Sequence, residues 1–227
     1  TTINSQAVAA EQWVVLSGIL ATGATFIGMD ISGYSGTLSI SDIYVGNGSY
    51  LTPVIDNSGN LRHATNYGAI PINGIAGKAL SFNGVNSYLV PTPCWQNATE
   101  FTFCCWAKKN AYVQYQLFLS DHDENNQNLI CGWENPENFI SFFCGYETNC
   151  KALTISNIQD TSWHFWTFMF KGSAYMRIYR DAVLVGELTT GVPDHVATNY
   201  STRLSIGKGS IEYFKGYMDG VVFYLRT

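Results

Sequence analysis

The segment Phe101-Thr102-Phe103-Cys104-Cys105-Trp106-Ala107-Lys108 decides the fold. Successive side chains in a strand point to opposite faces. Phe101, Phe103, Cys105 and Ala107 therefore share one face, and Thr102, Cys104, Trp106 and Lys108 share the other. The first set reads as core. The second puts Trp106 on a polar face, where packing explains an apolar plate less easily. In residues 163–170, His164, Trp166, Phe168 and Phe170 alternate with Trp163, Phe165, Thr167 and Met169. Both sets are apolar, so this strand is expected to be central, with its second face also covered.

Outward from these two segments the same alternation recurs in short runs. Strands are expected near 12–20, 25–31, 36–45, 78–82, 88–90, 114–120, 128–133, 139–144, 151–155, 174–180, 183–188, 204–208 and 217–224. Turn signals such as Asp56-Asn57-Ser58-Gly59-Asn60 and Lys171-Gly172-Ser173 separate them. No long segment repeats apolar residues at helical spacing. The pattern specifies an all-β chain of short antiparallel strands, a sandwich or a barrel. A seam near residues 46–56 divides it. The three strands before the seam bury too little to stand alone, which gives two segments, 1–53 and 54–227.

Composition narrows the function. The 227 residues carry a net charge of −5, and only 13% are charged, against about 25% in an average globular protein. A chain without a broad basic face is a poor partner for nucleic acid or an anionic membrane. The apolar stretch from Trp13 to Ile31 is interrupted by Gly18, Gly23, Gly28 and Asp30. A spanning helix needs about 20 nearly unbroken apolar residues, so no membrane insertion is expected. The opening Thr1-Thr2-Ile3-Asn4 has no Met and no leader pattern, and reads as a processed chain or an excised piece of a longer one. Six cysteines (94, 104, 105, 131, 144 and 150) allow 15 pairings. Free thiols are the expectation, with Cys144 and Cys150 the best-placed pair if any disulfide forms. No Gly-rich phosphate loop, Gly-x-Ser-x-Gly or Cys-x-x-Cys occurs.

From Val54 onward, seven patterns follow one another: Asp56–Asn60, Gly77–Leu89, Phe101–Lys108, Trp163–Phe168, Met176–Ala182, Leu204–Gly207 and Phe214–Val221. In this order they resemble the laminin-G-like, concanavalin-A-like jelly roll. The resemblance covers about 170 residues and implies a sandwich of two antiparallel sheets with one concave face. The first 50 residues resemble the closing strands of a carbohydrate-binding-module-like unit, through Gly36–Ile43 and Thr52-Pro53. That pairing resembles phage tail fibre or baseplate proteins. It implies a virion or extracellular location, a bacterial cell-surface glycan as partner, and a homo-oligomer, a trimer, within a larger tail assembly. A structural or protein-interaction jelly roll without sugar binding is the alternative.

A sugar site needs an exposed aromatic plate beside planar amides, carboxylates or Arg. The candidates are Trp106, Trp133, Tyr146, Arg177 and Tyr179, with Asp121, His122, Asp123 and Asn125 of an acidic loop. Trp95 and Trp166 read as structural, and His164 as a satisfied core histidine. Many relatives of this fold hold a structural calcium, and the matching positions here are Asp56, Asn60 and Asp219. Calcium takes six to eight oxygen ligands. Enzymes of related shape carry Glu-x-Asp-x-x-Glu along one strand. No such run is present, and a non-enzymatic module is expected.

Overall fold

The computed structural model describes residues 53–92, 97–110, 115–122, 127–134, 139–146, 148–158, 161–197 and 204–226. The expected strands at 12–20, 25–31 and 36–45 lie outside the described residues. So do the module-like segment 1–53 apart from Pro53, Cys94, Trp95, Asp123 and Asn125.

Fifteen strands and no helix are present among the described residues. They run β1 Pro53–Val54, β2 Ala64–Tyr67, β3 Ile70–Asn73, β4 Lys78–Asn83, β5 Tyr88–Pro91, β6 Glu100–Lys109, β7 Gln116–His122 and β8 Gln127–Trp133. They continue β9 Ile140–Tyr146, β10 Asn149–Ile155, β11 His164–Lys171, β12 Tyr175–Arg180, β13 Val183–Leu188, β14 Leu204–Ile206 and β15 Lys215–Arg226. An eight-stranded sheet is ordered β1-β2-β5-β14-β7-β8-β9-β10, and a seven-stranded sheet β13-β12-β11-β6-β15-β4-β3. All pairings are antiparallel. This is the all-β, concanavalin A-like jelly-roll sandwich that the sequence implies.

The core is aromatic. The seven-stranded sheet contributes Phe82, Phe101, Phe103, Trp166, Phe168 and Phe170. The eight-stranded sheet contributes Phe118, Trp133 and Phe142. Phe118 meets Trp133 edge-on at 4.8 Å, and Phe101 meets Phe142 edge-on at 6.0 Å. The first contact lies within the eight-stranded sheet and the second crosses the sandwich, as does the edge-on contact of Trp133 with Trp166 at 5.7 Å; edge-to-face is the arrangement the ring quadrupole favours. Phe101, Phe103, Cys105 and Ala107 of β6 point inward as their alternation specifies.

Two expectations need correction. Strand β11 is central, between β12 and β6, but among the described residues no further layer covers its second face. Phe165, Thr167 and Met169 there are half-buried, and Phe165 packs against the Trp106 ring of the same sheet. Strands β1, β2 and β3 were not expected. The cysteines follow the expectation of thiols: Cys104, Cys105, Cys131, Cys144 and Cys150 are all unbridged. Burial pushes the Cys105, Cys131 and Cys144 thiols well above their ordinary pKa.

Candidate functional site

The outer face of the seven-stranded sheet can be laid out in rows from the strand register. Trp106 on β6 lies opposite Phe165 on β11 and Asp219 on β15. The next row joins Tyr179, Thr167, Cys104 and Val222. The row after that joins Glu187, Arg177, Met169, Thr102 and Tyr224. On the other side of Trp106, Lys108 lies opposite Tyr217. The inward parity of Trp166, Phe168, Phe103 and Cys105 puts all of these side chains on the outer face of the sheet, where Asp219 and Cys104 are nevertheless buried.

Three of the sequence candidates, Trp106, Arg177 and Tyr179, are therefore on one face. Strand and row spacings put Trp106 about 12 Å from Tyr179. Trp106 packs against Phe165 with ring centroids 5.4 Å apart, and both stay half-exposed. Trp163 lies 6.1 Å from the Tyr217 ring, and the Lys108 ammonium 6.0 Å from it. Arg177 donates from Nε to Glu187 Oε1 at 2.5 Å, and its guanidinium sits 4.0 Å from the Tyr175 ring. The bond to Glu187 raises the Arg177 pKa. Tyr224 is 61% exposed. The face thus carries aromatic plates interspersed with an oriented guanidinium, an ammonium and phenol groups. Phe165, Tyr217, Tyr224 and Tyr175 were not singled out from sequence; their parity relative to the buried β11 and β6 residues was the available signal.

The remaining candidates lie elsewhere. Trp133 is 1% exposed and belongs to the core, where it packs between Phe118 and Trp166 with the Lys109 ammonium 4.6 Å from its ring. Alternation turns it inward together with Leu129 and Cys131, so it offers no plate to a surface ligand. Asp121 is likewise buried between the sheets, opposite Leu129 and Leu204. His122 ends β7, and its side chain lies outside the described residues. Tyr146 ends β9 in the other sheet. It stacks on His195 at 4.1 Å and accepts a 3.2 Å bond from Asn149 Nδ2, while Asp194 Oδ1 lies 3.0 Å from His195 Nδ1.

Asp56, Asn60 and Asp219 occupy different settings. Asp56 follows β1 in the eight-stranded sheet. Its carboxylate accepts the Ser58 N–H at 2.8 Å and the Arg62 N–H at 2.9 Å. Hydrogen bonding from Ser58, then from Arg62, lowers its pKa to about 2. Asn60 Nδ2 donates to Ser58 Oγ at 2.9 Å, which completes a self-contained Asx turn. Asp219 lies in the seven-stranded sheet, 5% exposed, and its Oδ2 accepts the Ile75 and Ala76 N–H groups at 2.7 and 2.9 Å. Among the described residues, no group of three His, Cys, Asp or Glu side chains is placed to share a metal ion.

The carboxylates on and around the outer face are already engaged. Glu187 holds Arg177, Asp219 holds the β3–β4 turn, and Glu100 lies 4.0 Å from Lys171. Asp181 accepts the Phe165 N–H at 2.9 Å and bonds His164 Nδ1 at 2.6 Å. Burial raises the Asp181 pKa, but those bonds and the Arg180 charge outweigh it and leave it lowered. His164 Nε2 lies 2.6 Å from Arg180 Nη2. A guanidinium only donates, so Nε2 accepts and Nδ1 carries the proton to Asp181. His164 is a satisfied histidine at the mouth of the core. Glu134, which burial raises, belongs to the loop after β8 in the opposite sheet.

A family model described as the concanavalin A-like lectin/glucanases superfamily matches residues 82–227, and the chain belongs to that superfamily. A search of the curated proteins finds no match. Among solved structures, the chain resembles domain 4 of AbnA, a GH43 extracellular arabinanase from Geobacillus stearothermophilus, in complex with arabinotriose. Identity is 17%, the match covers 75% of this chain and 85% of that one, and the TM-score is 0.54. It also resembles the binding domain of botulinum neurotoxin serotype G, at 16% identity over 76% of this chain and 45% of that chain, with a TM-score of 0.59. A third is the binding domain of botulinum neurotoxin DC in complex with SialylT, at 16% identity over 78% of this chain and 48% of that chain, with a TM-score of 0.53. The chain spans a little under half of these toxin domains. At such identities the likeness is one of fold.

Proposed function

We propose that the chain is a non-enzymatic carbohydrate-binding module whose ligand lies along the outer face of the seven-stranded sheet. The observation that carries this reading is the half-exposed Trp106–Phe165 pair, set in one field with Tyr179, Tyr217 and the Glu187-oriented Arg177. Sugar rings present apolar C–H faces to aromatic plates and hydroxyl edges to planar polar groups. A hydrolase would need two carboxyl groups converging on one bond, one of them held protonated. The carboxylates of this face are instead occupied by cations and N–H groups. Two fold neighbours, the arabinanase domain in complex with arabinotriose and the DC toxin domain in complex with SialylT, support the same reading.

The finer proposal is a receptor-binding component of a phage tail, assembled as a homotrimer, that recognises bacterial surface polysaccharide. Its support is the order of the seven sequence patterns and the module-like first segment. Trimer assembly multiplies weak single-site affinity into avidity. A structural calcium at the Asp56 turn belongs to this proposal too.

The test is a glycan array with whole-cell binding, run in calcium and in chelator, on the chain and on Trp106→Ala and Arg177→Ala. Selective binding that either substitution weakens about tenfold, with thermal stability within a few degrees of the parent, supports the module. No binding to any glycan by the folded parent favours the protein-interaction or structural alternative.

A further inference from the structure

At one end of the sandwich the β4–β5 turn, the β14–β15 loop and the start of β7 come together around a cleft of about 500 Å³. We propose that this cleft is a second ligand site, separate from the sheet face, that takes the terminal unit of an uncharged saccharide. The inference rests on the carbohydrate-binding reading for the class of ligand, and on the cleft alone for its place.

Each wall is braced from within the protein. In the first, Asn83 Oδ1 accepts the Val85 and Asn86 N–H groups at 2.8 and 3.0 Å, and Asn83 Nδ2 donates to Asn86 Oδ1 at 2.7 Å. This leaves Val85 at the tip, 70% exposed. In the second, the Gly209 N–H bonds the Glu212 carbonyl and the Phe214 N–H bonds the Gly207 carbonyl, both at 2.9 Å. Lys208 and Tyr213 form a bridge beneath, and Ile211 is left at the tip, 71% exposed. The floor is Gln116, 1% exposed, whose Oε1 accepts the Lys215 N–H at 2.7 Å. The shape therefore exists before any ligand arrives, which lowers the ordering cost of binding.

Exposed aliphatic residues scattered singly need no explanation. Here two branched ones border the same cleft, each on a braced turn, with Glu212, Tyr213 and Lys215 also lining it. Glu212 spends one oxygen on a 3.3 Å bond from the Ile211 N–H. Among the described residues the Lys215 ammonium has no carboxylate partner. The two charges are opposite and cancel, so the cleft favours neither a cation nor an anion. A polyhydroxy ring satisfies both, donating hydroxyls to Glu212 and accepting from Lys215, while Val85 and Ile211 cover its C–H faces. No described Trp lines this cleft, whereas Trp106 marks the sheet face, so the two sites have separate reporters.

The test is a ¹H–¹⁵N NMR titration of the full chain with neutral sugars (methyl glycosides and arabinotriose) and with sialyllactose as the anionic comparison. The expected result is saturable shifts of the Val85, Ile211, Glu212 and Lys215 amides with at least one neutral sugar, tighter than with sialyllactose. Glu212→Gln and Ile211→Ser, both surface changes, are expected to weaken those shifts about tenfold and to leave any Trp106 indole response unchanged. Saturable shifts at the Trp106 indole alone, or nowhere, overturn the cleft site. Tighter anionic binding in the cleft overturns the uncharged class. Cleft shifts without a Trp106 response support the cleft and refute the sheet face as the main site.

Discussion

Asp219 offers the sharpest test of how this structure is held. Its carboxylate is 5% exposed and accepts two backbone N–H groups, from Ile75 and Ala76. Those groups belong to the turn between β3 and β4, so the side chain ties the sheet's edge hairpin to β15. A hydrogen bond to a charged group contributes about 1.5–3 kcal/mol. Both bonds are only partly buried, so Asp219→Ala is expected to cost about 3 kcal/mol, near the lower bound for the pair. In a domain of this size that is a fall in Tm of roughly 6–12 °C. Asp219→Asn keeps an acceptor oxygen without the charge and is expected to lose about half as much. Gly74 belongs to the same device, because a Cβ there would run into Asp219 Oδ2 and lie 2.8 Å from the Ala79 Cβ. The assay is urea and thermal unfolding of both variants, in calcium and in chelator. A loss below about 1 kcal/mol for Asp219→Ala refutes the capping role. A loss seen only in calcium would instead make Asp219 a metal ligand.

Two further outcomes follow from the titrating groups. Asp56 has a folded pKa of about 2 against an ordinary 3.8, so its contribution is fully present above pH 3.8 and is lost as pH falls toward 2; Asp56→Asn should flatten the acid limb of Tm against pH, and an unchanged slope would contradict the assignment. Burial raises the Cys105, Cys131 and Cys144 thiols furthest, so peptide-resolved alkylation of the native chain should modify half-exposed Cys150 well before these three, and a Cys144–Cys150 disulfide in the native protein would refute that order.

The central strands were legible because their two faces differ or their length is apolar throughout. Strands β1, β2 and β3, toward one edge of each sheet, were harder to read, for physical reasons that the structure makes plain. Strand β3 contains Pro71, which argues against a strand in a sequence pattern. It is an edge strand, where the missing N–H need not join a ladder. Strand β2 carries Asn66, a residue more at home in turns, yet its amide is buried and satisfied by the Ala69 N–H and carbonyl at 2.8 and 2.9 Å. In β15 the register shifts between Asp219 and Val222, where Gly220 takes φ +54°. The bulge resets which residues face outward, and strict alternation cannot anticipate it.

The candidate site divides along the same line. Trp106 was placed on the surface from sequence because Thr102 and Lys108 share its parity, so the polar face was unambiguous. Trp133 is the opposite case: Leu129 and Cys131, which share its parity on β8, are both apolar, while Asn128 and Gly132 mark the other face. Alternation alone therefore points Trp133 inward, where the Phe118 and Trp166 rings surround it. Phe165 was overlooked for the converse reason. Both parities of β11 are apolar, so a second covering layer was the natural inference, and the plate that pairs with Trp106 was assigned to packing. Two apolar faces on one strand are thus consistent with two opposite situations, a buried layer and an exposed binding surface. Periodicity does not distinguish them; the exposure of the neighbouring strands does. On the seven-stranded sheet the β6 and β12 partners of Phe165 and Met169 stay half-exposed, so among the described residues the second apolar face of β11 belongs to a surface and not to a buried layer.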